Sequence, residues 1–373
     1  MWKIDPFNYQ RRPSIEVRIG QLLMGGTQPV RIQSMTNTDT NDIEASLQQC
    51  IRLIHAGAEL VRFTTQGNRE AESLKKIHDL LRKKGYQTPL SADVHFNANV
   101  ADVVAQYVEK VRINPGNYLG SNRGNISSDD SEEEYAADYE RIKKRFVQLL
   151  NICKKHQTAL RIGVNHGSLS ERIMNRYGDT AEGMVESCME FLRICREENF
   201  QNVVISMKAS NTLTMIHSVR MLVDRMEIEN FHYPLHLGVT EAGNEDEGRI
   251  KSAVGIGTLL SEGIGDTIRV SLSEDPEAEI PVARKLISYI DEKKIHEPIL
   301  AEKNQKHSPF EYRRRTTHAV ENIGGNNVPI VIAATKTNYA ITPDYYFAEN
   351  QITNSLNEIF PIYEVNEKEE LTK

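Results

Sequence analysis

Five segments of the sequence share an unusual feature, because each places one cation within or at the end of an apolar strand. The five cations are Arg62, Arg112, Arg161, Lys208 and Arg269. A charged side chain rarely lies in a buried strand unless it has a partner. Arginine suits a phosphate ligand, since its guanidinium can donate two parallel hydrogen bonds to phosphate oxygens. The pattern predicts that several strands aim their cations at one doubly or triply charged anion, such as a diphosphate.

Polar residues that could assist such a ligand stand near the cations in the sequence. Asp93 and His95 end one predicted strand and Glu241 follows another, and a carboxylate with an imidazole can supply general acid–base catalysis. The alternative for His95 is an ordinary hydrogen bond to a loop, and His236 is expected to pack inside the strand layer. At least one arginine is expected to pair with Asp93, Glu241 or Asp266. The neutral donors beside the cations are Asn114, Asn165, Ser168, Ser210 and Ser271.

Predicted strands and helices alternate eight times over about 270 residues, which indicates an α/β fold of the (β/α)8 TIM-barrel type. A doubly wound sheet is the alternative. Residues 14–26 alternate with period two around a glycine turn, which predicts an N-terminal β-hairpin that closes one end of the barrel. Active sites of such barrels lie at the C-terminal ends of the strands, where most of the polar residues fall.

The alternation stops near Pro298, and this change divides the chain. We expect residues 1–295 to form the barrel domain and residues 296–373 to be the incomplete start of a second domain. In the second part, Val328–Ala333 is predicted to be a buried strand, and residues 344–373 a short helix with a charged tail. Within the first part, Tyr118–Asp130 is a long polar segment that we expect to be mobile and to close over the barrel mouth when ligand binds.

Bulk properties limit the classes of function. The net charge of −7 argues against a nucleic-acid partner. No stretch reaches the ~18 apolar residues of a membrane span and the N-terminus does not resemble a signal peptide, so we predict a cytoplasmic protein. Cys50, Cys153, Cys188 and Cys195 lie in helix-like sequence without a C-x-x-C pair, which indicates buried thiols and no metal site in this chain.

Seven motifs, taken in order, are specific enough to resemble a known family. They are Gln33–Asn37, Ala92–Phe96, Val111–Asn117, Arg161–Leu169, Met207–Ser210, Leu235–Gly243 and Gly263–Leu272. Together they resemble 4-hydroxy-3-methylbut-2-enyl diphosphate synthase, the iron–sulfur reductase of the non-mevalonate isoprenoid pathway. The resemblance covers residues from about 10 to 290. The segment Asn165–Ser168 and the basic segment near Arg313 are similar to the long form of that family, which carries a middle domain.

The resemblance implies a reaction and two groups of site residues. The family binds 2-C-methyl-D-erythritol 2,4-cyclodiphosphate in its barrel and opens the ring reductively, with loss of a hydroxyl as water. The residues that would hold the diphosphate are Arg112, Asn114, Arg161, Asn165, Lys208, Arg269 and Ser271. The residues that would face the reacting carbons are Arg62, Asp93, His95 and Glu241. The barrel would position the substrate while a [4Fe-4S] cluster supplies the electrons.

The same resemblance implies partners and a departure from the family. Ferredoxin or flavodoxin is the expected electron donor, and a homodimer is possible. The family holds its cluster on a separate C-terminal domain with three cysteines and a glutamate, and we expect that domain to be absent from this chain. Two alternatives stay open at this point. One is a pterin-diphosphate-binding enzyme of the dihydropteroate synthase type, and the other is a non-catalytic diphosphate-binding module.

Overall fold

The computed structural model describes residues 2, 5, 7–95, 97–118, 132–300, 314–334, 342–356 and 358–360. The chain divides into two compact units, Met1–Glu302 and Lys303–Lys373. The predicted mobile segment Tyr118–Asp130 lies outside the described residues except for Tyr118. The boundary predicted at residue 295 stays a prediction.

The first unit begins with the β-hairpin that the alternating pattern predicted. Strands β1 (Val17–Ile19) and β2 (Leu22–Met24) pair antiparallel, and Gly20 makes the turn with a φ of +60°. A left-handed residue at this position favours glycine. The inward side chains of the hairpin pack on Leu60, Ala159 and Val204 in the barrel interior. The hairpin therefore plugs the N-terminal end of the barrel.

Eight parallel strands form the barrel wall. They are β3 (Arg31–Met35), β4 (Leu60–Thr65), β5 (Leu90–Val94), β6 (Lys110–Ile113), β7 (Ala159–Asn165), β8 (Val203–Lys208), β9 (His236–Leu237) and β10 (Thr267–Ile268). Their spatial order is β8-β7-β6-β5-β4-β3-β10-β9. A parallel bridge between Ile205 and Leu235 joins β8 to the β9 side and closes the ring. The predicted (β/α)8 barrel is confirmed, and the doubly wound alternative is wrong.

Helices follow the strands and cover the outside of the barrel. They are α1 (Ile43–Ala56), α2 (Asn68–Lys83), α3 (Ala98–Val104), α4 (Glu132–His156), α5 (Glu171–Tyr177), α6 (Ala181–Glu197), α7 (Thr212–Ile228), α8 (Glu245–Ser252), α9 (Thr258–Ser261) and α10 (Glu279–Glu292). Local signals set the ends of α1, where the Asp42 carboxylate accepts from Ala45 N at 3.0 Å and Gly57 is left-handed. Helix α5 was not predicted from the sequence. No helix of the described residues is long and apolar enough to cross a membrane.

The second unit contains a small four-stranded sheet. Its strands are β11 (Ile332–Ala333), β12 (Tyr345–Ala348), β13 (Gln351–Asn354) and β14 (Ile359–Phe360). The predicted buried strand at 328–333 shrinks to β11, and Val328 and Val331 are exposed. The short helix predicted after residue 344 is wrong over the described residues. Glu349 and Asn350 both have positive φ, which makes a two-residue hairpin turn between strands rich in aromatic and β-branched residues.

Candidate anion-binding site at the barrel mouth

Asp93, at the end of β5, connects the cations of its two neighbouring strands. Arg112 on β6 donates to Asp93 Oδ1 at 2.9 Å, and Arg62 Nε on β4 lies 3.4 Å from Asp93 Oδ2. The second amino group of Arg112 donates to Gly163 O at 2.9 Å. These three ionised side chains are almost completely buried. The structure thus bears out the expectation that some strand cations pair inside the barrel.

The environment of Asp93 decides its protonation state. Burial alone would raise its pKa, but Arg62, Arg112 and a hydrogen bond with His95 together hold the pKa well below its usual range. Asp93 therefore stays ionised near neutral pH. The geometry favours a carboxylate that anchors two guanidinium groups over one that exchanges protons with a ligand.

Arg269 has a carboxylate partner that the sequence did not indicate. Glu279, in the first turn of α10, accepts from Arg269 Nη2 at 3.0 Å and from Ser34 Oγ at 3.1 Å. Glu279 is only 2% exposed. The Met35 sulfur also contacts Arg269, since it accepts from Arg62 Nη2 at 2.8 Å and from Arg269 Nη1 at 3.6 Å. A thioether is a weak, neutral acceptor, so it orders both guanidinium groups without neutralising them.

Arg161 and Lys208 differ from the other cations because no described carboxylate forms an ion pair with either of them. Both side chains are buried, with 1% and 6% exposure. The Nε and Nη1 atoms of Arg161 have no hydrogen-bond partner among the described residues. Burial lowers the pKa of Lys208 well below its ordinary value, and Arg62 and Arg161 lower the pKa further. Uncompensated buried charge is costly, so the site is built to receive negative charge.

Two glycines make room for these cations. A Cβ at Gly163 would lie 2.5 Å from Arg112 Nε, and a Cβ at Gly238 would lie 2.9 Å from Lys208 Nζ. Gly163 lies inside β7, and Gly238 directly follows β9, where a side chain would otherwise point into the barrel. A glycine inside a predicted strand often marks a place where another group approaches the backbone closely, so Gly163 could have been noticed in the sequence.

The space at Gly238 yields a prediction. Gly238→Ala should displace the Lys208 ammonium, because the new Cβ would also lie 3.0 Å from the Arg269 carbonyl oxygen and cannot move away easily. We expect affinity for a diphosphate ligand to fall roughly tenfold, by misplacement of a charge rather than its removal. Calorimetric titration measures this. Gly257→Ala is the matched control, since its Cβ meets only Leu286 Cδ2 at 3.9 Å. Equal affinities of the two variants would contradict the prediction.

The predicted neutral donors fall into two groups. Asn114 is engaged within the protein, since its Oδ1 accepts from Gly116 N at 3.1 Å and its Nδ2 donates to Ser168 Oγ at 3.0 Å. The Asn165 amide, oriented to satisfy its neighbours, accepts from Arg112 Nη2 at 3.3 Å. Ser271, beyond β10, is partly exposed, and Ser210, beyond β8, is exposed. The two asparagines thus order loops and arginines at the mouth.

His95 and Glu241 lie at the rim, where a ligand could reach them. His95 Nε2 lies 3.4 Å from Asp93 Oδ2, and the imidazole side chain is 28% exposed. Glu241 is exposed, and its φ of +53° is strained for a residue other than glycine. Backbone strain of this kind clusters at functional sites. His166 instead lies 3.5 Å from Asp179 at a more exposed position, and His236 is fully buried, as expected.

These elements define a class of protein, a (β/α)8 barrel whose strand ends carry a buried, incompletely compensated cluster of cations. The model of the GcpE TIM-barrel domain matches residues 14–284. The chain therefore belongs to the GcpE family, as the resemblance of its motifs predicted.

Curated relatives match almost the whole chain. One from Parabacteroides distasonis is 58% identical over 95% of this chain and 59% of its own length. One from Phocaeicola vulgatus is 58% identical over 94% of this chain and 58% of its own length. One from Leptospira interrogans is 45% identical over 87% of this chain and 49% of its own length. All three are named 4-hydroxy-3-methylbut-2-en-1-yl diphosphate synthase (flavodoxin). The chain thus spans about three fifths or less of the length of these relatives.

A solved structure with a similar barrel belongs to another enzyme class. The dihydropteroate synthase of Burkholderia cenocepacia, complexed with 7,8-dihydropteroate, superimposes with a TM-score of 0.50 at 11% identity. The match covers 75% of this chain and 96% of that chain. At this identity the similarity extends to the fold alone.

Proposed function

We propose that this chain supplies the substrate-binding barrel of a 4-hydroxy-3-methylbut-2-en-1-yl diphosphate synthase, and that its ligand is 2-C-methyl-D-erythritol 2,4-cyclodiphosphate. The observation that carries the proposal is the pair Arg161 and Lys208, which are buried at the mouth without a described carboxylate in an ion pair. A cyclic diphosphate brings one negative charge on each phosphoryl group, which matches two such cations. The names of the curated relatives support the same substrate class.

The site residues then divide by their contacts. We assign the diphosphate to Arg112, Arg161, Lys208, Arg269, Asn114, Asn165 and Ser271. The first four supply charge, while Asn114 and Asn165 support the loop and the guanidinium beside them. Arg62, Asp93, His95 and Glu241 would face the reacting carbons. Since the pKa of Asp93 is held low, proton exchange falls to His95 or Glu241, and Asp93 fixes Arg62 and Arg112.

The cysteines of this chain do not fit the iron–sulfur cluster that would supply the electrons. A [4Fe-4S] cluster would supply electrons to the bound ring in the longer enzyme, and it needs thiolate ligands held close together. All four cysteines are buried, and burial raises the pKa of Cys50 and Cys153 to about 12. No group of three metal-ligating side chains occurs among the described residues. We therefore assign the cluster to the part of the longer enzyme outside this chain.

The remaining assignments concern partners and location. Flavodoxin, which appears in the relatives' names, is the proposed donor, with ferredoxin as the alternative. The homodimer and the cytoplasmic location stay predictions, and so does the division into a barrel of 1–295 and a second domain that begins at residue 296.

Binding calorimetry tests the proposed substrate. The 373-residue chain should bind the methylerythritol cyclic diphosphate, and Arg161→Ala should weaken binding by about 1.5–3 kcal/mol, the scale of a charge-assisted hydrogen bond. A pterin diphosphate should bind much more weakly, because Asp93, Asn114 and Asn165, which could hydrogen-bond a pterin ring, are already engaged by protein partners. Tighter binding of the pterin, or unchanged affinity in a folded Arg161→Ala protein, would contradict the proposal.

A second test concerns the cluster. Anaerobic reconstitution of this chain with iron and sulfide should give no cluster absorbance and no reductase activity, because its cysteines are protonated and buried. Iron and sulfide analysis after desalting provides the measurement. Stoichiometric iron and sulfide, with turnover of the cyclic diphosphate, would show that this chain holds the cluster.

A further inference from the structure

Among and beneath the cations of the mouth lies a group of buried polar atoms, several of them hydrogen-bond donors only, that lack protein partners. Within the part of the chain that the structure describes, these atoms have no hydrogen-bond partner although their side chains are almost fully buried. Buried polar groups are nearly always paired, so such a concentration calls for an explanation. The atoms are Gln33 Nε2, Ser91 Oγ, Arg161 Nε and Nη1, His236 Nδ1 and Nε2, and Thr267 Oγ1. Together with Lys110, these residues are called the donor layer.

The backbone register makes two pairs of the donor-layer residues direct neighbours, and it places Arg161 beside Arg112 at the level of the mouth. Lys110 on β6 is the direct neighbour of Ser91 on β5, and His236 on β9 is the direct neighbour of Thr267 on β10. Lys110 precedes Arg112 by two residues, so it points inward one step deeper than the mouth. Its ammonium reaches across the interior and donates to Gln33 Oε1 on β3 at 2.8 Å.

The donor layer is buried and is closed from below by apolar side chains. The hairpin plug, with Val17, Ile19 and Met24, packs on Leu60, Ala159 and Val204 at the N-terminal end of the barrel. All of these side chains are apolar and can accept no hydrogen bond. Any partner for the donor layer must therefore lie between the plug and the mouth.

The charge balance favours a negative partner. Six strand cations point into the described interior, and two carboxylates, Asp93 and Glu279, form ion pairs with three of them. The other cations are Arg161, Lys208 and Lys110, and Lys110 is the deepest. The buried Asp266 does not change this balance, since it pairs with Arg11. If the mouth takes a cyclic diphosphate, as proposed above, its two charges still leave an excess of positive charge in the interior.

We propose that the donor layer binds one small monovalent inorganic anion, of the chloride type, beside Lys110 and Arg161. An anion accepts hydrogen bonds from several donors at once and donates none. A water molecule would find acceptors here too, because the hydroxyls of Ser91 and Thr267 and one nitrogen of a neutral imidazole at His236 can accept hydrogen bonds. The excess of buried positive charge is therefore what favours an anion over water. The anion would order Arg161 from below and leave its outer amino group to face the mouth.

The test compares thermal unfolding of the 373-residue chain in chloride or bromide with unfolding in gluconate at the same ionic strength. Gluconate is a much larger anion than a halide ion, so we do not expect it to enter this buried layer. We expect halide to raise the Tm by about 3 °C or more, because a ligand that binds only the folded state stabilises it. Lys110→Met should abolish the halide effect, whereas Lys208→Met and the exposed control Lys76→Met should keep it. A halide effect that disappears in Lys208→Met but persists in Lys110→Met would place the anion at the mouth and overturn the proposal.

A diffraction measurement is independent of whether Lys110→Met folds. Crystals of the unaltered chain grown in bromide should show an anomalous peak in contact with Lys110 Nζ and Arg161. Bromide peaks confined to exposed residues, with only water density in the donor layer, would refute the proposal. Neither measurement uses the cyclic diphosphate, so their outcome is separate from that of the proposed function.

Discussion

Replacing Lys208 by methionine should weaken binding of the cyclic diphosphate by about 1.5–3 kcal/mol, or roughly 10- to 150-fold. The same substitution should raise the Tm of the ligand-free chain. Both effects have one cause, since Lys208 is buried beside Arg62, Arg161 and Arg269 with no described carboxylate in an ion pair. Methionine keeps much of the volume and removes the unpaired charge. Calorimetry and thermal unfolding of the same preparation measure the two effects.

A loss of affinity combined with a rise in Tm distinguishes a charge that binds ligand from a charge that stabilises the fold. If Lys208 served only to hold the barrel together, the methionine variant would lose stability, while its folded fraction would keep its affinity for the cyclic diphosphate. Lys76→Met, on the exposed face of α2, controls for the loss of one positive charge from the whole molecule. A fall in Tm without a change in affinity would show that Lys208 is structural and would remove the central support for the proposed function.

The barrel could be predicted from the sequence because its signals are local. Alternating strand and helix patterns fix the order of the elements, and parallel strands must gather their C-terminal ends on one face. Cations on separate strands were therefore expected to converge, and Arg62 and Arg112 do converge on Asp93. Even the hairpin plug followed from a period-two pattern around Gly20.

The partners of those cations could not be predicted, because they depend on distances between residues far apart in the chain. Glu279 looks like an ordinary acidic residue at a helix start, where the helix dipole alone would explain it. Only the folded chain brings it to Arg269 and Ser34. The buried position of Lys110 could not be predicted either, since a lysine at the start of a strand usually faces solvent. The hairpin at Glu349 was missed because its turn lacks the glycine that usually marks such turns.

Asp93→Asn should have the opposite effect on stability, lowering the free energy of unfolding by about 3–5 kcal/mol. The amide would leave Arg62 and Arg112 buried without the carboxylate that now contacts both. The effect should depend on pH in a defined direction. The pKa of Asp93 lies below its ordinary value of 3.8, so its contribution is complete above about pH 4 and is lost as the pH falls. The difference in the free energy of unfolding between wild type and variant should become smaller only under acidic conditions.

Denaturant unfolding across a pH series measures this gap, and the chain offers a matched surface pair as control. Asp79 forms an i,i+4 ion pair with Lys75 on α2, and both side chains are about half exposed. Asp79→Asn removes an aspartate carboxylate that is exposed to water, where an ion pair contributes little to stability. The unfolding curve of this variant should therefore overlay that of the wild type. Equal, small effects of the two substitutions would mean that Arg62 and Arg112 find other partners. The mouth would then be held by its hydrogen-bonded loops, and Asp93 would be free to exchange protons with the ligand.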